Sequence, residues 1–167
     1  MTANPSALRV FIIEDNEDVA VSTSLLLKFL GHGSETVSRG EAALEKALAY
    51  RPDLLLIDLA LPEVDVYELA NQFRSNCAFD DTPMFAFSGY ADAVHRQRAM
   101  DAGFDGFMSK PFTIADLESV CRRAQTVIAE TNVRVQRALA AAHATREISR
   151  RCRAALDEFW LNRCASD

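Results

Sequence analysis

Five polar residues stand where short apolar runs end: Glu14 and Asp15 after Val10 to Ile13, Asp58 after Leu54 to Ile57, Ser88 after Met84 to Phe87, and Lys110 just beyond Gly106 to Met108. Three carboxylates brought within a few ångström repel one another and raise at least one pKa unless something positive sits among them. Mg²⁺ suits such a set, being a hard ion that takes oxygen ligands and keeps several waters. A carboxylate there can act as a nucleophile and accept a phosphoryl group as an acyl phosphate. An ammonium and a hydroxyl then hold the equatorial oxygens by charge and hydrogen bond. The chemistry in view is phosphoryl transfer to a carboxylate.

Each residue alone has a plainer reading. Asp15 or Asn16 caps the following helix, with Glu17 and Asp18 favoured in its first turn by the helix dipole. Asp58 is a polar loop residue after a buried strand, Ser88 a turn former and Lys110 a solvated cation. The joint placement carries the weight, because it requires one sheet edge to collect all five. The sequence supplies that edge. From Arg9 onward, β-branched or apolar runs alternate with helical patterns, the signal of βαβ units around a parallel sheet. Strands are expected at Val10 to Ile13, weakly at Ser34 to Val37, and at Leu54 to Ile57, Met84 to Phe87 and Gly106 to Met108.

Helices are expected at Glu17 to Leu30, Gly40 to Ala49, Val66 to Ser75 and Ala91 to Ala102, and a fifth after Pro111 with Thr113 as N-cap and Asp116 completing a capping box. Gly31 and Gly33 close the first helix, Gly103 closes the fourth, and Pro52 and Pro83 precede strands. Five β/α units fit between Leu8 and Arg123. The continuous apolar run Leu54-Leu55-Leu56-Ile57 fits a central strand covered on both faces. Right-handed crossovers then give an α/β, doubly wound, three-layer domain whose strands end on one ligand-binding edge.

These motifs resemble a known family. Glu14-Asp15, Asp58 followed by Leu59-Ala60-Leu61-Pro62, Ser88-Gly89 and Lys110-Pro111-Phe112 are similar in order, spacing and strand context to the receiver domain of bacterial response regulators. The resemblance implies a flavodoxin-like five-stranded sheet in the order 2-1-3-4-5. It implies that Asp58 is phosphorylated by a phosphohistidine on a sensor histidine kinase or histidine phosphotransfer protein. Glu14, Asp15 and Asp58 would hold Mg²⁺ with the Ala60 carbonyl. Lys110 would contact the phosphoryl group, Ser88 would be the switch hydroxyl and Phe107 the switch aromatic, altering the surface of the fourth helix, fifth strand and fifth helix. The Lys110-Pro111 bond would be cis.

Tyr90, two residues beyond Ser88, would shade the phosphoryl group from water. Where the family pattern continues Pro-x-x-Asp-Gly, this chain has Pro62-Glu63-Val64-Asp65-Val66. A β-branched residue resists positive φ, so that loop must be rebuilt or already helical at Val66.

The rest of the chain differs in character. The 167 residues carry 49% apolar and 25% charged side chains, as in one globular domain with an appendage. Residues 1–121 hold 9 basic and 19 acidic residues, whereas 122–167 hold 9 and 5. Residues 8–123 are read as the receiver domain and 124–167 as a helical extension. From Phe112 to Asp167, 56 residues contain neither Gly nor Pro, so extended helix is expected. A 3-4 spacing runs through Ile114, Leu117, Cys121, Ala124, Ile128, Thr131, Val135, Ala138, Ala142 and Thr145, though Ala and Thr make thin knobs.

A continuous helix from 113 to 162, roughly 75 Å long, must find a partner, such as a second copy, or fold back near Thr131-Asn132 or His143-Thr145. Phe159-Trp160-Leu161 is an apolar cluster expected to dock. The tail arginines leave open a transcriptional regulator that touches nucleic acid, but no turn signal or interleaved aromatic supports one, and the reading weighs against it. A phosphorylation-independent interaction module is the other alternative.

An aspartyl-phosphate hydrolase would need a second acid where Ala60 stands. The expected role is therefore regulatory, with self-phosphorylation from small donors and self-dephosphorylation as the only chemistry. No basic run precedes the first apolar stretch, no run reaches a membrane span, and the four cysteines form no C-x-x-C pair. A cytoplasmic location is expected.

Overall fold

A computed structural model describes residues 7–62, 64–89 and 92–164, the side chains of 155–164 excepted. Tyr90 and the side chains of Phe159-Trp160-Leu161 lie outside the described residues. The chain divides into a unit spanning Met1–Ile128 and a second spanning Ala129–Asp167.

The elements run β1 (Arg9–Ile13), α1 (Glu17–Phe29), β2 (Gly33–Val37), a 3₁₀ turn (Gly40–Ala42) leading into α2 (Ala43–Tyr50), β3 (Leu54–Asp58), α3 (Val66–Arg74), a second 3₁₀ turn (Cys77–Phe79), β4 (Met84–Ser88), α4 (Ala93–Asp101), β5 (Gly106–Ser109) and α5 (Ile114–Cys164). All strands pair in parallel in the order β2-β1-β3-β4-β5. This is the doubly wound sheet the alternation predicts. The side-chain period of two splits each central strand between two cores. Phe11, Ile13, Leu55, Ile57 and Ala86 face α2, α3 and α4, while Val10, Ile12, Leu54, Leu56, Phe85 and Phe87 face α1 and the first turns of α5.

Several boundaries differ from the sequence reading for local reasons. Gly33 belongs to β2, not to the end of α1, because its amide bonds Leu8 O across the sheet. Asp92 caps α4 by accepting from His95 N at 2.9 Å, so the helix begins two residues later than its pattern. The segment from Gly40 is split, with a 3₁₀ turn before α2. There a Cβ on Gly40 would sit 3.0 Å from both Val64 methyls, so any larger residue requires Val64 to give by a few tenths of an ångström. Val66 is indeed already helical. Asp65 sits at extended φ/ψ as the N-cap, accepting from Tyr67 N at 2.9 Å and Glu68 N at 3.3 Å, and Val66 is buried in the core as the first residue of α3. The altered loop is thus rebuilt around an apolar Val64–Gly40 contact.

In the second unit the chain is helical from Ala129 through Cys164, with no fold-back at Thr131-Asn132 or His143-Thr145. Thr113 and Asp116 form the expected capping box: Thr113 N donates to Asp116 Oδ2 at 2.8 Å and Asp116 N to Thr113 Oγ1 at 3.2 Å. Those bonds to the ionised carboxyl hold Asp116 below its ordinary pKa. Among the described residues no helix is long and apolar enough to cross a membrane.

Arg74 ties together the sheet edge away from Asp58. Its guanidinium donates to Gly103 O at 2.9 Å and Thr82 O at 2.9 Å, and pairs with Asp105 at 2.6 Å. Asp105 in turn accepts from Met84 N at 2.7 Å, so one side chain fixes the entry to β4 and the α4–β5 turn. Charge-assisted bonds of this kind are worth about 1.5–3 kcal/mol each but are not additive. Arg74→Ala is predicted to lower unfolding free energy by about 2–4 kcal/mol, with Arg74→Lys recovering only part because it lacks the fork. Denaturant titration measures both; an alanine variant within about 0.5 kcal/mol of wild type would remove this role.

Candidate functional site

Parallel pairing brings the ends of β1 and β3 side by side, with Ile13 opposite Ile57. The next residues, Glu14 and Asp58, are therefore neighbours. Both are buried, at 2% and 3% exposure, at the ends of apolar strands. Asp15 is exposed beside them. One carboxylate oxygen from each of Glu14, Asp15 and Asp58 lies within 4.8 Å of the others. The three acids read from the sequence are brought together.

Lys110 completes the group. Backbone pairing of Lys110 N to Ser88 O at 2.8 Å and a cis Lys110-Pro111 peptide set its position after β5. Its ammonium then reaches across β4 to Glu14 Oε2 at 2.5 Å and Asp58 Oδ2 at 2.9 Å. Beneath it lies the Phe87 ring, 4.5 Å from Nζ, with Phe112 packed edge-on against Phe87 at 6.3 Å. An aromatic face favours the cation electrostatically and keeps water from one side.

Sequence reasoning missed Phe87. Its signal is an aromatic residue immediately before Ser88, paired across the sheet with Met108, two residues short of the lysine.

Backbone donors hold the carboxylates in place. Asp58 Oδ1 accepts from Ala60 N at 3.1 Å, and Glu14 Oε1 from Asn16 N at 3.2 Å. The helix cap is Asn16, whose Oδ1 accepts from Val19 N at 3.1 Å, so Asp15 is not spent on capping. Burial pushes the Glu14 carboxyl above its ordinary range; the Lys110 hydrogen bond opposes this and the Asp58 charge adds to it. Ser88 is buried at the end of β4, opposite Ser109. Phe107, opposite Ala86 on β5, is half-buried, with the Arg96 guanidinium 5.3 Å above its ring.

Three carboxylates, a lysine and a hydroxyl thus share the carboxyl edge of the sheet. The response regulator receiver domain sequence pattern matches residues 10–122. This chain belongs to the response regulator receiver domain family. It is similar to the response regulator MprA of Mycobacterium ulcerans, 32% identical over 111 residues that make up 66% of this chain and 47% of that protein. The cell cycle response regulator CtrA of Brucella ovis is 33% identical over 129 residues, 72% of this chain and 55% of that protein. The chain therefore spans about half the length of the curated relatives it matches.

Among solved structures, the receiver domain of the sensor histidine kinase PA1611 from Pseudomonas aeruginosa superposes with a TM-score of 0.66 at 26% identity, covering 72% of this chain and 98% of that one. That receiver domain has a magnesium ion coordinated in its active-site cleft.

The shared lysine makes a stability prediction. Removing one partner from a buried ion group leaves charge uncompensated, at about 3–5 kcal/mol. Lys110→Met, studied in a chelator, should lose that much near neutral pH. Without the ammonium, Glu14 moves further above its ordinary range, so the folded state holds a proton that the unfolded chain has released. Stability then falls as pH rises through that window. The deficit measured by denaturation should be larger at about pH 8 than at about pH 5, and Glu14→Gln in the same background should remove most of the difference. Equal deficits at both pH values would show that the lysine acts through packing alone.

Proposed function

We propose that this chain is a phosphoacceptor signalling module of a two-component phosphorelay, with Asp58 as the phosphorylated residue. The observation that carries it is the Asp58 carboxylate, buried yet placed among two acids, an ammonium and a hydroxyl. The donor is a phosphohistidine on a sensor histidine kinase or histidine phosphotransfer protein. An Asp58 oxygen bonds to phosphorus as the P–N bond to the donor imidazole breaks, and the imidazole takes up a proton from solvent.

The donor set fits Mg²⁺: three carboxylates within reach of one another, all hard oxygens, one of them open to water. Glu14, Asp15 and Asp58, with the Ala60 carbonyl, are the residues that would hold it. When bound, the ion supplies charge neutralisation and orientation for the incoming phosphoryl oxygens. Lys110 exchanges its bond to Asp58 for one to a phosphoryl oxygen, and Ser88 donates to another. The Ala60 amide keeps Asp58 aimed as its charge changes.

Residues 8–123 form the receiver and 124–167 an extension that serves output. Regulation runs through Ser88 and Phe107 to the surface of α4, β5 and the start of α5, in the cytoplasm. α1, which starts at the site edge and runs away from it, exposes Val21, Leu25 and Phe29 at spacing i, i+4, i+8, the last at 80%. This stripe supports a protein donor that docks a helical surface there.

Incubation with acetyl phosphate and Mg²⁺ should add a single phosphoryl group to the wild type by intact mass and none to Asp58→Asn. Omitting Mg²⁺ or introducing Lys110→Met should slow the gain by about tenfold or more. Phosphoryl gain by Asp58→Asn, or none by the wild type, would overturn the assignment.

A further inference from the structure

To reach Asp58 on β3, a lysine that leaves the end of β5 has to cross β4, and the residue of β4 it crosses is Phe87. The register decides this, because Phe87 is the partner of Asp58 on one side and of Met108 on the other. Paired residues of neighbouring parallel strands point to the same face of the sheet. The Phe87 ring therefore stands beside the Asp58 carboxylate, in the path of the Lys110 side chain. The ammonium lies 4.5 Å from the ring centroid while it pairs with Glu14 and Asp58. Carboxylates hold one side of the cation and an aromatic face holds another.

We propose that Phe87 is a positioning residue for phosphoryl transfer, its ring a seat on which the Lys110 ammonium pivots from Asp58 to an incoming phosphoryl oxygen. This inference rests on the phosphoacceptor reading. A hydrogen-bond acceptor beneath the ammonium would fix its direction and compete with the phosphoryl oxygens for its N–H groups. A ring face instead attracts positive charge through its quadrupole. The cation thus keeps the ring as a partner while it changes anions, and stays aimed at the site. A leucine would bury a similar area but offer no such attraction, leaving one side of the ammonium against hydrocarbon.

The seat is itself braced. Phe87 is fully buried, and Phe112, two residues beyond Lys110, meets it with ring centroids 6.3 Å apart and ring planes at 81°. Edge-to-face packing of this kind is a preferred aromatic geometry. The single turn after β5 therefore delivers both the cation and the ring that supports its seat. Filling this part of the core, in the cluster with Val10, Ile12 and Met108, asks only for apolar volume, which leucine or methionine supplies. An aromatic ring is needed only for the ammonium.

The test uses the full chain with Phe87 replaced, by nonsense suppression, with phenylalanines carrying one, two and three ring fluorines. Fluorine drains the negative face of the ring with little change in volume, so the series separates electrostatics from packing. Phosphoryl gain from acetyl phosphate and Mg²⁺ is followed by intact mass, and the Lys110 ε-methylene signal by NMR in a chelator. The rate should fall stepwise along the series, by about fivefold at the trifluoro ring, and by about tenfold in Phe87→Leu. The Lys110 signal should carry an upfield ring-current shift that Phe87→Leu abolishes. In a Lys110→Met background the fluorine series should be flat. A flat series in the otherwise native chain overturns the proposal even where Phe87→Leu is slow, because the ring then contributes packing alone. A slope that survives Lys110→Met, or a Lys110 signal without the ring-current shift, overturns it as well. No phosphoryl gain by the wild type defeats the phosphoacceptor reading itself and removes the role of Phe87 with it, a result distinct from a flat series on an active chain.

Discussion

Taking Glu14 and Asp58 out of water costs several kcal/mol per charge, and the Lys110 ammonium between them is what offsets it. The rest of the receiver unit can be understood from what that contact demands. β1 and β3 must be adjacent and in register, so that the two acids leave the sheet side by side. β5 lies two strands from β3, so only a long side chain set by the turn at Lys110-Pro111 can reach them. The Phe87 ring beneath the ammonium and the backbone donors of Asn16 and Ala60 satisfy what the ion group leaves over. In the proposed reading, the arrangement that makes the pair tolerable in the folded state also readies Asp58, because its cation is shared with Glu14 and can turn to another anion.

Much of this was legible in the chain because strand ends announce themselves. An apolar run interrupted by an acid, a serine or a lysine marks both the strand and the residue it delivers, and Glu14, Asp15, Asp58, Ser88 and Lys110 lie where that rule places them. The capping box at Thr113 and Asp116 was legible for the same reason: it depends on residues three apart.

What escaped depends on contacts distant in sequence. Gly40 looks like a helix start until Val64 comes within 3.0 Å of where its Cβ would be. Arg74 reads as a solvated cation on a helix, and only the fold reveals the carbonyls of Thr82 and Gly103 around it. Phe87 reads as one more core residue. β2 gave a faint signal because only Val37 in it is buried. α5 shows the other limit: its helical propensity is plain from composition, whereas nothing local in the sequence fixes what packs against its exposed turns.

The element nearest the proposed switch is lightly anchored. α4 buries only Ala99. Its other ties are polar and peripheral: Arg96 over Phe107, and Arg98 over Tyr67 at 4.1 Å with its head 3.9 Å from Asp65. Contacts of this kind at exposed sites are worth about 0.5–1 kcal/mol each. They can be exchanged without opening a core, which would cost far more. Reversing a 1:99 population still needs about 5.5 kcal/mol, and a hydrogen bond to a charged group supplies about 1.5–3. A phosphoryl group on Asp58 that gains Ser88 and Lys110 as donors falls at or below that figure, since Lys110 gives up its bond to Asp58 in the exchange. In the proposed reading phosphorylation therefore yields a mixture of states, and a partner that binds the rearranged α4–β5 surface supplies the rest.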